Sequence, residues 1–330
     1  MKIKGVEFNV NAASGALGWS GEGYWYHKIY GFIFPSFKKT MADLNFVTKT
    51  ITWEKNEGNL PLDENFAPKE LFPKCIKVYP IQGMMLNAVN LSGPGFVPLL
   101  ATGKLQNVKR DALGISFMPI GETISDMLWE TRNFRDKLIE VLSKGSYHFN
   151  EGFQPTTKIW VQVNQSCPNT VRSDGQILAY MRDILEMLQP LRKNYGIVLD
   201  LKVNYLVENK VIAKICEDDL CDIVTISNTI KFGTKDAGIP WKRLFWWRRT
   251  SPLEKYGGGG ISGRPEFDPV CNKILSLHIS KPIKASGGIF SVSNVRLLKA
   301  YGACSIEFAT VSMLRPWRVS RIVEEARRIF

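Results

Sequence analysis

Eight short β-rich segments recur along this chain, near residues 6–12, 46–51, 114–118, 158–163, 197–203, 222–227, 281–286 and 304–309. Several end alike, with an apolar run giving way to small or hydrogen-bonding residues. The clearest is Val161-Gln162-Val163-Asn164-Gln165-Ser166-Cys167-Pro168-Asn169. Valine favours a buried strand, and the Ser-Cys-Pro-Asn that follows cannot extend one. Between strands, residues 123–143 place Ile124, Met127, Leu128, Phe134, Leu138, Ile139 and Leu142 mainly on one helical face. Residues 175–191 do the same with Ile177, Leu178, Met181, Ile184, Leu185 and Leu188. Eight strands with mostly helical crossovers predict an α/β fold, the (β/α)8 or TIM barrel. The carboxyl ends of the strands carry the chemistry in such barrels, so the polar endings mark the candidate site.

The length of 330 residues suits one barrel with insertions. With 45% hydrophobic and 11% aromatic residues the chain buries a large core, which excludes disorder. No segment has the length and apolarity of a membrane-spanning helix, and the amino terminus runs straight into a strand-like pattern, so the expected location is the cytosol. Six cysteines, at 75, 167, 216, 221, 271 and 304, form no Cys-x-x-Cys pair, and the three histidines stand far apart. That pattern speaks against a zinc site, a self-contained iron–sulfur cluster and a disulfide framework, and no metal is expected. The net charge of +12 suits anionic small molecules, nucleic acid or anionic lipid, although no basic run accompanies a nucleic-acid motif.

Read in order, the strand ends supply a varied set of groups. The first closes in Asn11-Ala12-Ala13-Ser14-Gly15, and the second, Val47-Thr48-Lys49-Thr50-Ile51-Thr52, holds a lysine inside a β pattern. That lysine points either to solvent or into the barrel mouth, where it would face an anion or a reduced flavin. Residues 53–111 are a long excursion rich in Pro, Gly and Asn, containing Asn87-Ala88-Val89-Asn90-Leu91-Ser92-Gly93-Pro94-Gly95; long loops in compact domains are often functional. The fifth strand carries a second lysine, Lys202, and the sixth ends in Ser227-Asn228-Thr229. Residues 231–265 contain an aromatic and basic run, Trp241 to Arg249, followed by Gly257 to Gly263. That run suits a partner subunit, a membrane or nucleic acid, or else an insertion whose aromatics fold back on the barrel. Ala285-Ser286-Gly287-Gly288-Ile289 and Glu307-Phe308-Ala309-Thr310 stand where barrels commonly bind phosphate. Cys167 suits a base or nucleophile, or a small buried hydrophobe. The asparagine amides suit a planar polar ligand.

Together these stretches resemble the dihydroorotate dehydrogenases, flavin mononucleotide (FMN) enzymes on a (β/α)8 barrel. The resemblance runs from Asn11-Ala12-Ala13-Ser14-Gly15 to Ala309-Thr310. Its most specific pieces are Thr48 to Thr52, Asn164 to Asn169 and Asn228-Thr229, supported by Gly259 to Gly263 and Gly287-Gly288-Ile289. It implies one FMN-binding domain over residues 1–330, with insertions near 53–111 and 231–265. It also implies oxidation of (S)-dihydroorotate to orotate in pyrimidine synthesis. The family has a cysteine base in its soluble class, so Cys167 resembles that class. By resemblance Cys167 would remove the C5 proton, with hydride passing from C6 to flavin N5. Lys49 would lie between flavin and substrate. Asn87, Asn164, Asn169, Asn228 and Thr229 would hold the substrate, with the Val89, Asn90 and Leu91 loop beside them. Ala13, Ser14, Lys202, Gly260, Gly287, Gly288, Ala309 and Thr310 would hold the flavin.

Asn90 stands where the family has glycine, Gly93 where it has a second asparagine, and Ala309 replaces the usual glycine before Thr310. Residues 16–35 and 236–256 depart from the family pattern, which makes this a divergent member. Soluble relatives pass electrons to fumarate, or to NAD through an iron–sulfur flavoprotein subunit. This chain has no dinucleotide fingerprint, so an NAD route would need that partner. A homodimer is also expected. Two other functions compete: a flavin enzyme for another pyrimidine or small unsaturated compound, and a non-catalytic barrel binding nucleic acid or membrane through its basic surface.

Overall fold

The computed structural model describes residues 1–144, 153, 157–165, 174–246, 248 and 250–330. Eight parallel strands close into a barrel: Val10–Ala12, Phe46–Val47, Ala112–Phe117, Lys158–Gln165, Val198–Val203, Ile223–Ile226, Ile283–Ser286 and Ser305–Phe308. Each pairs with its neighbours in chain order, and the eighth with the first. The protein is a (β/α)8 barrel, with one strand in each of the eight expected places.

Two strands are shorter than the pattern suggests. Val6–Glu7 leaves the first segment to form an antiparallel hairpin with Lys2–Ile3. In the second segment the ladder breaks after Val47 and resumes only at Ile51, which bridges to Phe117. The Thr48 side chain fills part of the break, its Oγ1 accepting the Ser116 N–H at 3.1 Å. Lys49 turns out of the ladder and donates its N–H to the Gly18 carbonyl at 2.8 Å. Such an interruption re-aims side chains, here those of Lys49 and Thr50.

Strand periodicity sorts the barrel interior into layers. Phe8, Val47, Ala112, Trp160, Val198 and Ile223 form an apolar floor, with Phe8 edge-on to Trp160 at 5.3 Å. Two residues further along, Gln162, Asp200 and Thr225 join Lys284 and Glu307 in a buried polar layer. Two further still, Asn164, Lys202 and Ser227 reach the mouth. Gly114 in the third strand belongs to the floor's packing, because a Cβ there would lie 2.5 Å from the Trp160 indole. Gly114→Ala is therefore expected to cost about 1–3 kcal/mol through overpacking. Urea denaturation reads this directly, and an unchanged midpoint would refute it.

Helices Ile124–Ser143 and Asp174–Asn194 pack against each other outside the barrel. Thr123 caps the first, accepting the Asp126 N–H at 3.1 Å. Met127, Phe134 and Leu138 are buried on its inner face, whereas Ile124 in the first turn is exposed. The two insertions meet across the barrel mouth. Strands Ile76–Tyr79 and Met84–Asn87 from one pair with Gly260–Gly263 from the other, which also binds Ile230–Lys231. This antiparallel sheet sets Asn87 opposite Gly260. Among the described residues no helix is long and apolar enough to cross a membrane.

Candidate functional site

A cavity of about 1740 Å³ opens at the carboxyl ends of the strands, under the antiparallel sheet. Ala13, Ser14, Lys49, Asn87, Val89, Asn90, Leu91, Asn164, Lys202, Asn228, Thr229, Gly260, Gly287, Gly288, Ala309 and Thr310 all line it. Cys167 and Asn169 lie outside the described residues.

A chain of hydrogen bonds crosses one wall. Ser14 Oγ donates to the Thr48 carbonyl at 2.8 Å and lies 3.0 Å from Thr50 Oγ1. Thr50 Oγ1 accepts from Asn164 Nδ2 at 2.9 Å. Asn164 Oδ1 then accepts from Asn228 Nδ2 at 2.6 Å, and Asn228 Oδ1 from the Thr229 N–H at 2.9 Å. Each amide is thereby fixed in orientation before any ligand arrives. An amide held this way offers a fixed pattern of donors and acceptors to a flat polar molecule.

Lys49, between Thr48 and Thr50, also lines the cavity. Its ammonium donates to the Ser92 carbonyl and lies 4.7 Å from the centre of the Trp19 ring. Burial lowers its pKa to about 8, opposed by the nearby Cys75 thiol. Trp19 also accounts for Gly93, since a Cβ at that position would come 2.9 Å from the indole. The indole N–H donates to the Phe66 carbonyl at 2.9 Å, so the ring is fixed. Sequence reasoning passed over Trp19, which lies in the 16–35 stretch without family pattern. Asn90 and Leu91 have φ of 56° and 58°, in the left-handed region. Asparagine tolerates that conformation better than most residues, which is how a residue with a side chain occupies this turn. Asn56 and Asn59 hold this loop by donating to the Asn90 and Ala88 carbonyls, both at 2.8 Å.

Lys202 rises from the buried polar layer, its ammonium 2.5 Å from Glu307 Oε1. Lys284 lies 2.5 Å from Asp200 and 3.4 Å from Glu307, and Gln162 donates to both carboxylates at 2.9 and 3.0 Å. Burial alone would raise the pKa of Glu307, but Lys202 and Lys284 outweigh it and hold the group at about 2. Burial would likewise lower Lys284, and the carboxylates of Asp200 and Glu307 raise it instead. Two cations and two anions neutralise one another beneath the cavity, leaving Lys202 fixed at its floor.

The remaining wall is backbone-rich. Gly287 and Gly288 follow the seventh strand with φ of 105° and 69°. A Cβ at Gly288 would lie 2.6 Å from the Phe267 backbone, so only glycine fits there. Thr310 Oγ1 meets Ser262 Oγ at 3.2 Å. Ala309 has φ of −131°, a conformation that needs no glycine. Glu266, a residue the strand-end reading missed, is buried beside this wall and lines the cavity.

Exposed apolar side chains of Trp25, Leu71, Phe72 and Val78 line part of the cavity. The Trp25–Ile33 helix leaves Ile29, Phe32 and Ile33 exposed, with Phe32 at 89%. Trp25 packs edge-on to Phe72 at 5.3 Å, and Phe72 and Ile81 are 74% and 88% exposed. Exposed Lys28, Lys74 and Lys77 line the cavity as well. In the aromatic and basic run, Phe245 is buried against Tyr79 and Phe232, and Trp241 donates to the Thr234 carbonyl at 2.9 Å. Those two aromatics fold back on the sheet, while Trp246 and Arg248 face solvent; Trp247 and Arg249 lie outside the described residues.

No family model matches the sequence. No curated protein matches it either. Among solved structures, the fold is similar to the crystal structure of DHODH from Eimeria tenella in complex with ferulenol, with a TM-score of 0.63 at 16% sequence identity. The match covers 100% of this chain and 83% of that one. At that identity the likeness carries the fold and not the activity.

Proposed function

We propose that this protein oxidises dihydroorotate to orotate with FMN as cofactor. The carrying observation is the Asn164–Asn228 amide pair, locked at 2.6 Å and facing the same cavity as Lys49, Lys202 and the Gly287-Gly288 turn. The residues fit a phosphorylated flavin. Gly287, Gly288 and Thr310 would take the phosphate through backbone N–H groups and a hydroxyl, and Ala13, Ser14 and Gly260 allow close approach of a flat ring. Lys202, fixed by Glu307, would face that ring. When bound, the flavin supplies the hydride acceptor.

The chain's own groups would do the rest. Asn87, Asn164, Asn169, Asn228 and Thr229, with the Val89 to Leu91 loop, would bind the pyrimidine edge and its carboxylate. An analogue lacking that edge would leave buried amides unpaired and bind poorly. Lys49 would place a positive charge against the substrate anion, and Cys167 would take the C5 proton. The test is to purify the protein, record its visible spectrum and add dihydroorotate without oxygen. A yellow protein that bleaches promptly supports the reading. A yellow protein that responds instead to dihydrouracil would move it to another pyrimidine. A colourless protein that takes up no FMN, and binds nucleic acid or anionic vesicles with steep salt dependence, would replace it with a binding role.

Although the cysteine resembles the soluble class, the exposed apolar side chains of Phe32, Ile33 and Phe72 favour a lipid-borne quinone over fumarate as electron acceptor, with the nearby exposed lysines facing anionic headgroups. Phe32→Glu combined with Ile33→Glu removes two side chains each worth about 1.5–3 kcal/mol when buried. Turnover with a long-chain quinone in anionic vesicles is therefore expected to fall by about tenfold or more. Turnover with a short water-soluble quinone should stay unchanged. Equal losses with both acceptors, or faster turnover with fumarate than with either quinone, would sink the idea.

A further inference from the structure

We propose that Glu266 is a cofactor-binding carboxylic acid that donates its proton to the phosphate of FMN. The proposal rests on the flavin reading above and adds to it a residue that the strand-end motifs do not contain. Glu266 ends the short Arg264–Glu266 turn after the Gly260–Gly263 strand and is 2% exposed. One carboxyl oxygen accepts the Gly263 N–H at 3.1 Å. The other is buried and has no partner among the described residues, and the residue lines the cavity. A buried carboxyl oxygen without a partner calls for a ligand or a proton. Gly287 is the neighbour of Glu266 across the turn, where a Cβ would lie 3.6 Å from the carboxyl oxygen that Gly263 holds. The Glu266 carboxyl group therefore sits beside the loop after strand seven, where barrels take phosphate.

Among the described residues no group hydrogen-bonds the second oxygen. Lys202 on strand five is committed to Glu307 at 2.5 Å. Tyr205 beyond the same strand donates its hydroxyl to the Ala237 carbonyl at 2.8 Å. Burial pushes the carboxyl up to about 8, against the Gly263 N–H and the Lys202 charge, which both lower it. Tyr205 is raised by its own burial and further by Glu266. At neutral pH the group is thus a neutral acid able to donate. A hydrogen bond from such an acid to a phosphate oxygen is charge-assisted and short. Once ionised, the same group would repel the phosphate.

The sign of the pH dependence follows. Phosphate binds the protonated form and raises its pKa further, so affinity is constant below about 8 and falls above it. The fall reaches at most about tenfold per pH unit, because one proton is linked to binding. Lys49, also held near 8, loses charge in the same window and weakens any anionic ligand. The comparison must therefore separate the two groups.

Apoprotein would be titrated with FMN and with riboflavin between about pH 7 and 9.5, reading flavin fluorescence, above the second phosphate ionisation near 6. Wild-type protein is expected to lose FMN affinity more steeply than riboflavin affinity. Glu266→Gln keeps a donor that does not titrate, so it should retain FMN binding at pH 7 and lose the extra slope while keeping the part due to Lys49. Glu266→Leu should bind FMN about tenfold or more weakly at pH 7, with riboflavin binding unchanged. Equal slopes for wild type and Glu266→Gln, or for FMN and riboflavin, would overturn the proposal and leave the flavin reading intact. No binding of FMN or riboflavin by wild-type protein at any pH would overturn both.

Discussion

Exchange of Cys167 for alanine is expected to slow flavin reduction by dihydroorotate by about 10²–10⁴-fold, the usual contribution of a positioned base. FMN content and orotate binding should stay near wild type, because in the proposed role the side chain would take the proton and hold neither ligand. A thiol with an ordinary pKa of about 8.5 is mostly protonated at neutral pH, so the wild-type rate should climb as pH rises. Lys49 imposes the opposite trend, since its ammonium loses its proton as pH passes about 8. The two limbs predict a bell-shaped profile for the free enzyme, with Cys167→Ala removing the rising side. Lys49→Arg should push the falling side out of range, because a guanidinium does not titrate below about 12. Anaerobic stopped-flow mixing at several pH values reads both limbs. A variant at position 167 that bleaches as fast as wild type would show that another group takes the proton.

How far the sequence reveals this molecule depends on how local each signal is. The eight strands follow from short apolar runs with polar endings, and each falls in its expected place. The hairpin at Val6–Glu7 and the break at Thr48 to Thr50 shorten two of them. Neither was visible, because a hairpin that keeps the apolar pattern and a break inside a β-branched run look like continuous strand. Lys202 stood out as a cation in an apolar run. Its partner Glu307, and Asp200 and Lys284 in the same layer, carried the same signal, a charge in a buried strand, and that pattern would have found them. The sheet that sets Asn87 opposite Gly260 joins segments more than 170 residues apart, and only the closed barrel brings them together. Trp19 and Gly93 compensate each other by shape, which no motif records. Cys167 and Asn169 rest on the motif alone.

Lys284→Met should be the most destabilising single change in the barrel interior, by about 3–5 kcal/mol. In the native layer Lys202 and Lys284 balance Asp200 and Glu307, with Thr225 donating to Asp200 at 2.6 Å. That balance is robust to pH. Glu307, with its pKa depressed to about 2, contributes stability present above its unfolded value and lost as pH falls through about 2. Lys284, with its pKa raised, contributes stability fully present below the unfolded value and lost only as pH rises through the higher folded one. Removing Lys284 leaves one buried negative charge with no counterion, and the layer must take up a proton or open. The variant should therefore lose less stability at pH 5 than at pH 8, whereas a simple cavity would cost the same at both. Adding Asp200→Asn restores neutrality and should recover at least about 1 kcal/mol relative to Lys284→Met alone, a non-additivity expected for charges in contact. Urea denaturation of the apoproteins, which avoids linkage to flavin, measures every member of the cycle. Strict additivity, or equal losses at both pH values, would mean that packing and not charge balance holds this layer. If charge does hold it, the position of Lys202 under the cavity follows from Glu307, and the floor of the site is set by residues that never touch a ligand.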